Sequence, residues 1–238
     1  NKSTSSSVST AQTRNIAGFT DLAEPTEIYN SHWVNASEKK VPQNDANSLY
    51  REVIAIDGYR DITQVNNVLG TQLSGYGIAG GEDYVKVESA RRLESSEYVL
   101  SPKLGFISLK TALNSDEVLA VAYEYTYNGK VYQVGEFSTD GIDAPQVLTL
   151  KLLKGTSQSP YLPTWDLMMK NIYSLGAYQV QKEKFRLDIK YKSDSTGVDL
   201  DYIPAGEIKN KNLLKVMNLD RLDSRLEQHP DGAFDFVE

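Results

Sequence analysis

VLAVAYEYTYNGKVYQVGEF, residues Val118–Phe137, is the stretch whose reading decides the fold. Apolar and polar side chains alternate with period two as far as Asn128-Gly129 and alternate again beyond it, the pattern of two antiparallel strands joined by a two-residue loop. Asn-Gly suits that loop because a type I′ turn requires positive φ at both central residues. Counting outward from the turn pairs Thr126 with Val131, Tyr125 with Tyr132 and Tyr123 with Val134. Tyr127, Tyr125, Tyr123, Val121, Tyr132 and Val134 then share one aromatic face. Aromatic pairs across such a hairpin contribute about 0.5–1.5 kcal/mol each beyond the area they bury. A lone hairpin is marginal in water, so this one is expected to pack on further strands.

Downstream and upstream of the hairpin the same period recurs in short runs. Val85–Ser89, Tyr98–Leu100, Gly105–Leu109 and Val147–Leu152 read as strands separated by turn material at Glu94–Ser96, Pro102-Lys103, Asn114–Asp116 and Thr139–Pro145. Phe185, Leu187, Ile189 and Tyr191 alternate with charged residues up to a polar Ser193–Gly197 turn, with Asp199–Ile203 expected to return antiparallel. Helical spacing is confined to short pieces. Ser48 is placed to cap a helix bearing Leu49, Tyr50, Val53 and Ile54, with Gly58 as its stop and a strand over Val53–Ile56 as the competing reading. Asp61 is placed to cap a second, with Ile62, Val65, Val68 and Leu69 on one face and Gly70 at its end. Thr164 opens a third, over residues 164–175, carrying Trp165, Met168, Met169, Ile172 and Tyr173 and closed by Gly176. That Trp and Met stripe is read as core in preference to a peptide groove. Leu213–Leu222 is undecided between strand and helix by its periodicity.

These elements predict a mainly β chain of antiparallel, sandwich-like sheets with a few short helices, α+β in class. Residues 1–15, rich in Ser and Thr, form an expected disordered lead-in. Residues 16–83 form an irregular segment with a small helical hairpin and one strand near Glu27–Tyr29. Residues 84–238 form a β-rich domain with the inserted helix.

Composition narrows the chemistry. At 238 residues the chain can bury a core without disulfides, and the lack of cysteine excludes disulfide scaffolds, thiolate zinc sites and cysteine nucleophiles together. A net charge of −7 without basic tracts argues against nucleic acid and anionic lipid as partners. No stretch has the apolar length of a membrane-crossing helix, and the start at Asn1 without Met suggests a piece of a longer protein.

The candidate sites are few. Gly75-Tyr76-Gly77-Ile78-Ala79-Gly80 satisfies GxGxxG, but a helix precedes it and a strand follows, the reverse of the dinucleotide-binding order, so it reads as a glycine-rich connection. His32 and His229 lie in polar contexts with no neighbour at metal-ligand spacing, and no nucleophile elbow accompanies them. Abundant carboxylates leave a paired-carboxylate glycosidase as the enzyme alternative. Asp220, Asp223, Asp231 and Asp235 cluster near Pro230-Asp231-Gly232, but no complete calcium loop is present, and turn chemistry explains them. The expectation is therefore no catalytic residue, no metal and no cofactor. The Tyr face remains a possible platform for sugar or protein.

Several stretches together resemble one family. Leu104–Leu109, Asp116–Gly141, Leu162–Tyr173, Gly176–Val180, Phe185–Asp188 and Leu213–Phe236 (LLKVMNLDRLDSRLEQHPDGAFDF) occur in the order of the SprA/Sov family, the giant outer-membrane translocons of the type IX secretion system, also named as gliding-motility proteins. The resemblance covers most of the chain from Tyr84 onward and is loose before it. It implies that the chain is a fragment of a far longer single-chain β-barrel that passes folded cargo, including adhesins and proteases, across the outer membrane. It further implies a non-enzymatic soluble module, a cap or periplasmic domain, with the extracellular side favoured. Its implied partners are other parts of the same chain, secreted cargo and translocon accessory proteins.

Overall fold

The computed structural model describes residues 13–34, 41–169, 180–181 and 183–236. The protein is mainly β with a few short helices, and its largest sheet is curled into a half-barrel. Among the described residues, two compact units are drawn from residues 1–93 with 112–172 and from residues 94–111 with 173–238.

In the first unit the sheet is built from β1 (Thr13–Phe19), β2 (Tyr84–Arg91), β5 (Leu119–Val121) and β8 (Leu148–Lys154), in the order β2-β1-β8-β5. β1 runs antiparallel to β2 but parallel to β8, and β8 runs antiparallel to β5. β1 is a strand where irregular chain is expected, and its first residues, Thr13–Asn15, fall within the expected lead-in. The reason is its place in the sheet. A strand flanked on both sides and covered on both faces has no polar side to alternate with, and Ile16-Ala17-Gly18-Phe19 is buried throughout. Gly18 packs closely there, a Cβ meeting the Leu152 Cδ1 at 3.1 Å. Glu27–Tyr29, expected as a strand, is irregular chain leading to a 3-10 turn at Ser31–Trp33.

The hairpin consists of β6 (Tyr123–Tyr127) and β7 (Lys130–Val134) in the expected register, Thr126 facing Val131, Tyr125 facing Tyr132 and Tyr123 facing Val134. Asn128 and Gly129 hold φ of 49° and 73°, as a type I′ turn demands. Val121 does not share this face. It lies in β5 and pairs with Lys151, because the chain leaves one sheet for another at Ala122. On the facing strand the change occurs at Gly135, whose φ is 74° and whose missing Cβ would sit 3.0 Å from the Ala122 Cβ. The Asn44 side chain clamps this glycine from both sides, accepting from its N–H at 2.7 Å and donating to its carbonyl at 3.1 Å.

Two helices cover the core of this unit. α1 (Leu49–Ile54) settles the helix-or-strand alternative up to Ile54 in favour of helix, and its capping bond comes from Asn47, whose Oδ1 accepts from the Leu49 N–H. Ser48 makes no capping bond of its own. α2 (Val65–Gln72) passes through Gly70 without stopping, and the left-handed residue is Gly77. Phe19, Leu22, Trp33, Leu49, Val53, Tyr59, Val65, Leu69, Val134 and Val147 are sealed in one cluster. Each such side chain contributes about 1.5–3 kcal/mol by leaving water. Phe19 sits between two rings, stacked on Tyr84 at 5.8 Å and tilted against Tyr59 at 6.4 Å. α3 (Pro163–Asp166) opens one residue earlier than expected, with Leu162 extended as N-cap and Pro163 in the first turn, so Thr164 lies inside it. It closes at Asp166, Leu167–Met169 continue as non-helical chain where helix is expected, and residues 170–175 of the expected helix lie outside the described residues.

The second unit is built of smaller pieces. β3 (Tyr98–Ser101) and β4 (Phe106–Leu109) form a hairpin, and β9 (Tyr191–Lys192) and β10 (Asp199–Leu200) a shorter one around the expected Ser193–Gly197 turn. Phe185–Lys190 keeps the expected alternation, half-buried and exposed in turn, but carries no ladder. Leu213–Val216 forms a helical turn, α4, capped by the Asn212 side chain on the Leu214 N–H at 2.8 Å.

Gly135→Ala is expected to destabilise the first unit by about 1–3 kcal/mol, since it combines a strained φ with a clash against Ala122. Urea denaturation followed by tyrosine and tryptophan fluorescence measures it, and a wild-type midpoint would contradict the account.

Candidate functional site

One carboxylate in the first unit has every accepting direction filled. Glu136, 2% exposed, follows Gly135 at the end of the hairpin. Its oxygens accept from Arg60 Nη1 and Nη2, each at 2.7 Å, from the Tyr50 hydroxyl at 3.0 Å and from the Thr149 N–H at 2.6 Å. Arg60 reaches on to the Val147 carbonyl at 2.8 Å, and the Tyr59 hydroxyl bonds the Thr149 hydroxyl at 2.9 Å. The guanidinium is held more firmly protonated than usual, first by its hydrogen bonds to Glu136. A carboxylate so engaged cannot take a proton from a substrate without giving up a structural bond. Its chemistry is bracing.

Three further buried or half-buried charged groups are used in the same way. Asp21, 1% exposed, accepts from the Tyr29 and Asn30 N–H groups at 2.8 Å each. Burial raises its pKa, and those two bonds, with the nearby Lys151, work against the rise. Lys151, buried in β8, donates to the Thr20 carbonyl and to Glu24. Asp83 accepts from the Ala79 N–H at 2.7 Å.

His32 stacks on Tyr76 with ring centroids 3.4 Å apart, and its Nε2 lies 2.9 Å from Glu52. Burial pushes the Glu52 carboxyl up, but hydrogen bonds with Ser48 and His32 bring it below the ordinary value. The histidine thus fastens the 3-10 turn to α1 and to the glycine-rich connection. That connection does run from helix to strand, as its context required, and Gly81 N–H is bonded to the Tyr84 carbonyl at 2.7 Å.

In the second unit, Asp220 accepts from the Asp231 and Gly232 N–H groups, and Asp235 from those of Arg221 and Leu222. Asp223 accepts from the Arg225 and Glu227 N–H groups. Those of Asp223 are local turn bonds, those of Asp220 and Asp235 reach eleven to fourteen residues along the chain, and among the described residues no group of three or more His, Cys, Asp or Glu is arranged to hold a metal ion. His229 lies against its neighbour's carbonyl.

The hairpin turns aromatic side chains toward water. Tyr123 is 39% and Tyr127 53% exposed, while Tyr125 and Tyr132 are half-buried and stacked at 5.4 Å. Tyr123 tilts on Tyr125 at 6.1 Å, and the Tyr125 hydroxyl donates to the Pro42 carbonyl at 2.6 Å, which holds the ladder rigid. Burial, and then the adjacent ring, raise the phenol pKa values of Tyr123 and Tyr125. Rigid phenols in a row offer flat apolar area with polar tips, the surface on which a sugar ring or an extended peptide can lie. The fold and its surface therefore define a β-rich chain with a braced interior and an aromatic hairpin outside it. Set against known protein-family models the chain matches none, and a search of curated proteins finds no match.

The sequence held one overlooked signal for the brace. Tyr132, Val134 and Glu136 share parity, so a charged residue falls where the strand pattern calls for a buried one.

Glu136→Ala is expected to cost about 3–5 kcal/mol, because it leaves the Arg60 charge uncompensated, and the drop in urea midpoint measures it. Burial, then the Glu136 carboxylate, drive the Tyr50 phenol well above its ordinary 10.0, and burial does the same to Tyr59. Both bind their protons more tightly folded than unfolded, so their contribution to stability is complete below pH 10.0 and drains away as pH rises beyond it. An ultraviolet tyrosinate titration should show a late step coincident with unfolding, absent from the Tyr50→Phe, Tyr59→Phe double variant.

Proposed function

We propose that the chain is a non-enzymatic, extramembrane domain of a type IX secretion outer-membrane translocon, serving the export of folded proteins and gliding motility, and lying on the cell-surface side of the outer membrane. The observation that carries this reading is the order of the resembling stretches, from Leu104–Leu109 to Leu213–Phe236, along the chain. The structure lends support where those stretches fall. Asp116–Gly141 contains β5, the hairpin, Gly135 and Glu136, so the longest resemblance coincides with the elements on which the first unit is braced. A scaffold for passing cargo needs rigidity, and buried charges committed to main-chain and cross-element bonds supply it. Other parts of the parent chain, accessory proteins and cargo are its partners in this reading. A second reading, a surface-exposed module binding carbohydrate or protein on the hairpin, is favoured by the exposure of Tyr123 and Tyr127.

The test uses the absence of cysteine in this segment. Tyr161, 88% exposed, is replaced by cysteine in the full-length parent, and intact cells are treated with a membrane-impermeant maleimide, the unsubstituted parent serving as control. Labelling of intact cells with the parent in the outer-membrane fraction is the expected result. Labelling only after permeabilisation overturns the cell-surface placement. A parent recovered as a small soluble protein overturns the translocon reading.

A further inference from the structure

The hairpin has one covered edge and one open edge. In its register, Tyr123, Tyr125 and Tyr127 exchange hydrogen bonds with β7, so the N–H and C=O groups of Glu124 and Thr126 point away from the hairpin on one side and those of Val131 and Gln133 on the other. The β7 side is partly closed, for the Gln133 carbonyl accepts from the Asn44 N–H at 2.9 Å. On the β6 side, Glu124 and Thr126 are exposed, and among the described residues their outward backbone groups have no partner.

We propose that this edge of β6 pairs with the same edge of a second copy of the chain, giving a continuous β7-β6-β6-β7 sheet about a two-fold axis. An open strand edge specifies an extended strand as its occupant, and the sequence of β6 specifies which. Two copies of β6 laid antiparallel about Tyr125 place Glu124 opposite Thr126 of the other copy and Tyr123 opposite Tyr127, pairing all of β6. The outward groups of Glu124 and Thr126 then meet as hydrogen-bonded pairs, and no carboxylate directly faces another. Shifting the register to set Glu124 against Glu124 opposes like charges, which destabilises a sheet, and draws in Val121 and Ala122, of which Val121 is already paired in the other sheet. Because the axis is perpendicular to the sheet, Tyr123, Tyr125, Tyr127 and Tyr132 of both copies lie on one side, doubling the aromatic ladder. A contact one short strand long falls below the roughly 1,200 Å² of a stable interface, so the dimer is weak and reversible.

Sedimentation velocity of the full 238-residue chain from low micromolar to millimolar concentration tests this. Position 126 is exposed, so its substitution leaves the fold intact. Thr126→Lys sets an ammonium opposite the other copy's Glu124 and should tighten the dimer, whereas Thr126→Glu should loosen it, each by about two- to thirtyfold over the two symmetric pairs. A third variant, Thr126→Pro, removes an outward N–H and should reduce association further, with circular dichroism confirming that the sheets persist. A chain that stays monomeric throughout, or a dimer whose affinity ignores both charge substitutions, overturns the proposal. Its outcome is independent of the translocon reading, which the labelling of the parent decides.

Discussion

The bidentate pairing of Arg60 with Glu136 is the constraint on which the first unit depends. A carboxylate taken out of water costs several kcal/mol unless its lone pairs are all satisfied, and here they are satisfied from separate parts of the chain. Tyr50 comes from α1, Arg60 from the turn that follows it and Thr149 from β8, while Glu136 itself ends the hairpin. The arrangement therefore fixes where the helical cover sits on the sheet and where the hairpin leaves it. Apolar packing would hold these parts together but would tolerate small slides. The planar fork of an arginine on a carboxylate tolerates few.

How much of this was legible depends on distance along the chain. The hairpin could be read residue by residue because the turn and both strands lie within one short window, and Asn128-Gly129 fixes the register. β1 could not, because its partners lie far away and its own residues show neither period. The Phe185–Tyr191 alternation predicted which side chains turn inward, but a ladder needs a neighbour, and one forms only at Tyr191–Lys192. Capping suffered a different error. Ser48 and Thr164 are acceptable caps by type, yet the bond at α1 is made by Asn47, and at α3 Leu162 takes the N-cap position with Pro163 in the first turn. Composition ranks such neighbours poorly, since each alternative is worth about 1 kcal/mol.

The same contrast holds for the candidate sites. Histidine and acidic side chains, read without a catalytic role, are fastened in the structure: His32 to Glu52 and Tyr76, Asp220 and Asp235 to main-chain amides eleven or more residues away. Tyr123 and Tyr127 of the hairpin, unremarkable as chemistry, face water.

The parallel pairing of β1 with β8 has a consequence for how the chain is made. Lys151 in β8 reaches the Thr20 carbonyl across 131 positions, and β1 lies at the centre of the sheet, between β2 and β8. During synthesis the sheet's middle strand thus emerges first, and one of its two ladders must wait until most of the first unit has left the ribosome. Closure of so long a loop is slow compared with forming the local hairpins. Until then β1 carries an unpaired row of N–H and C=O groups and an uncovered apolar stretch, Ile16–Phe19, that the finished sheet seals.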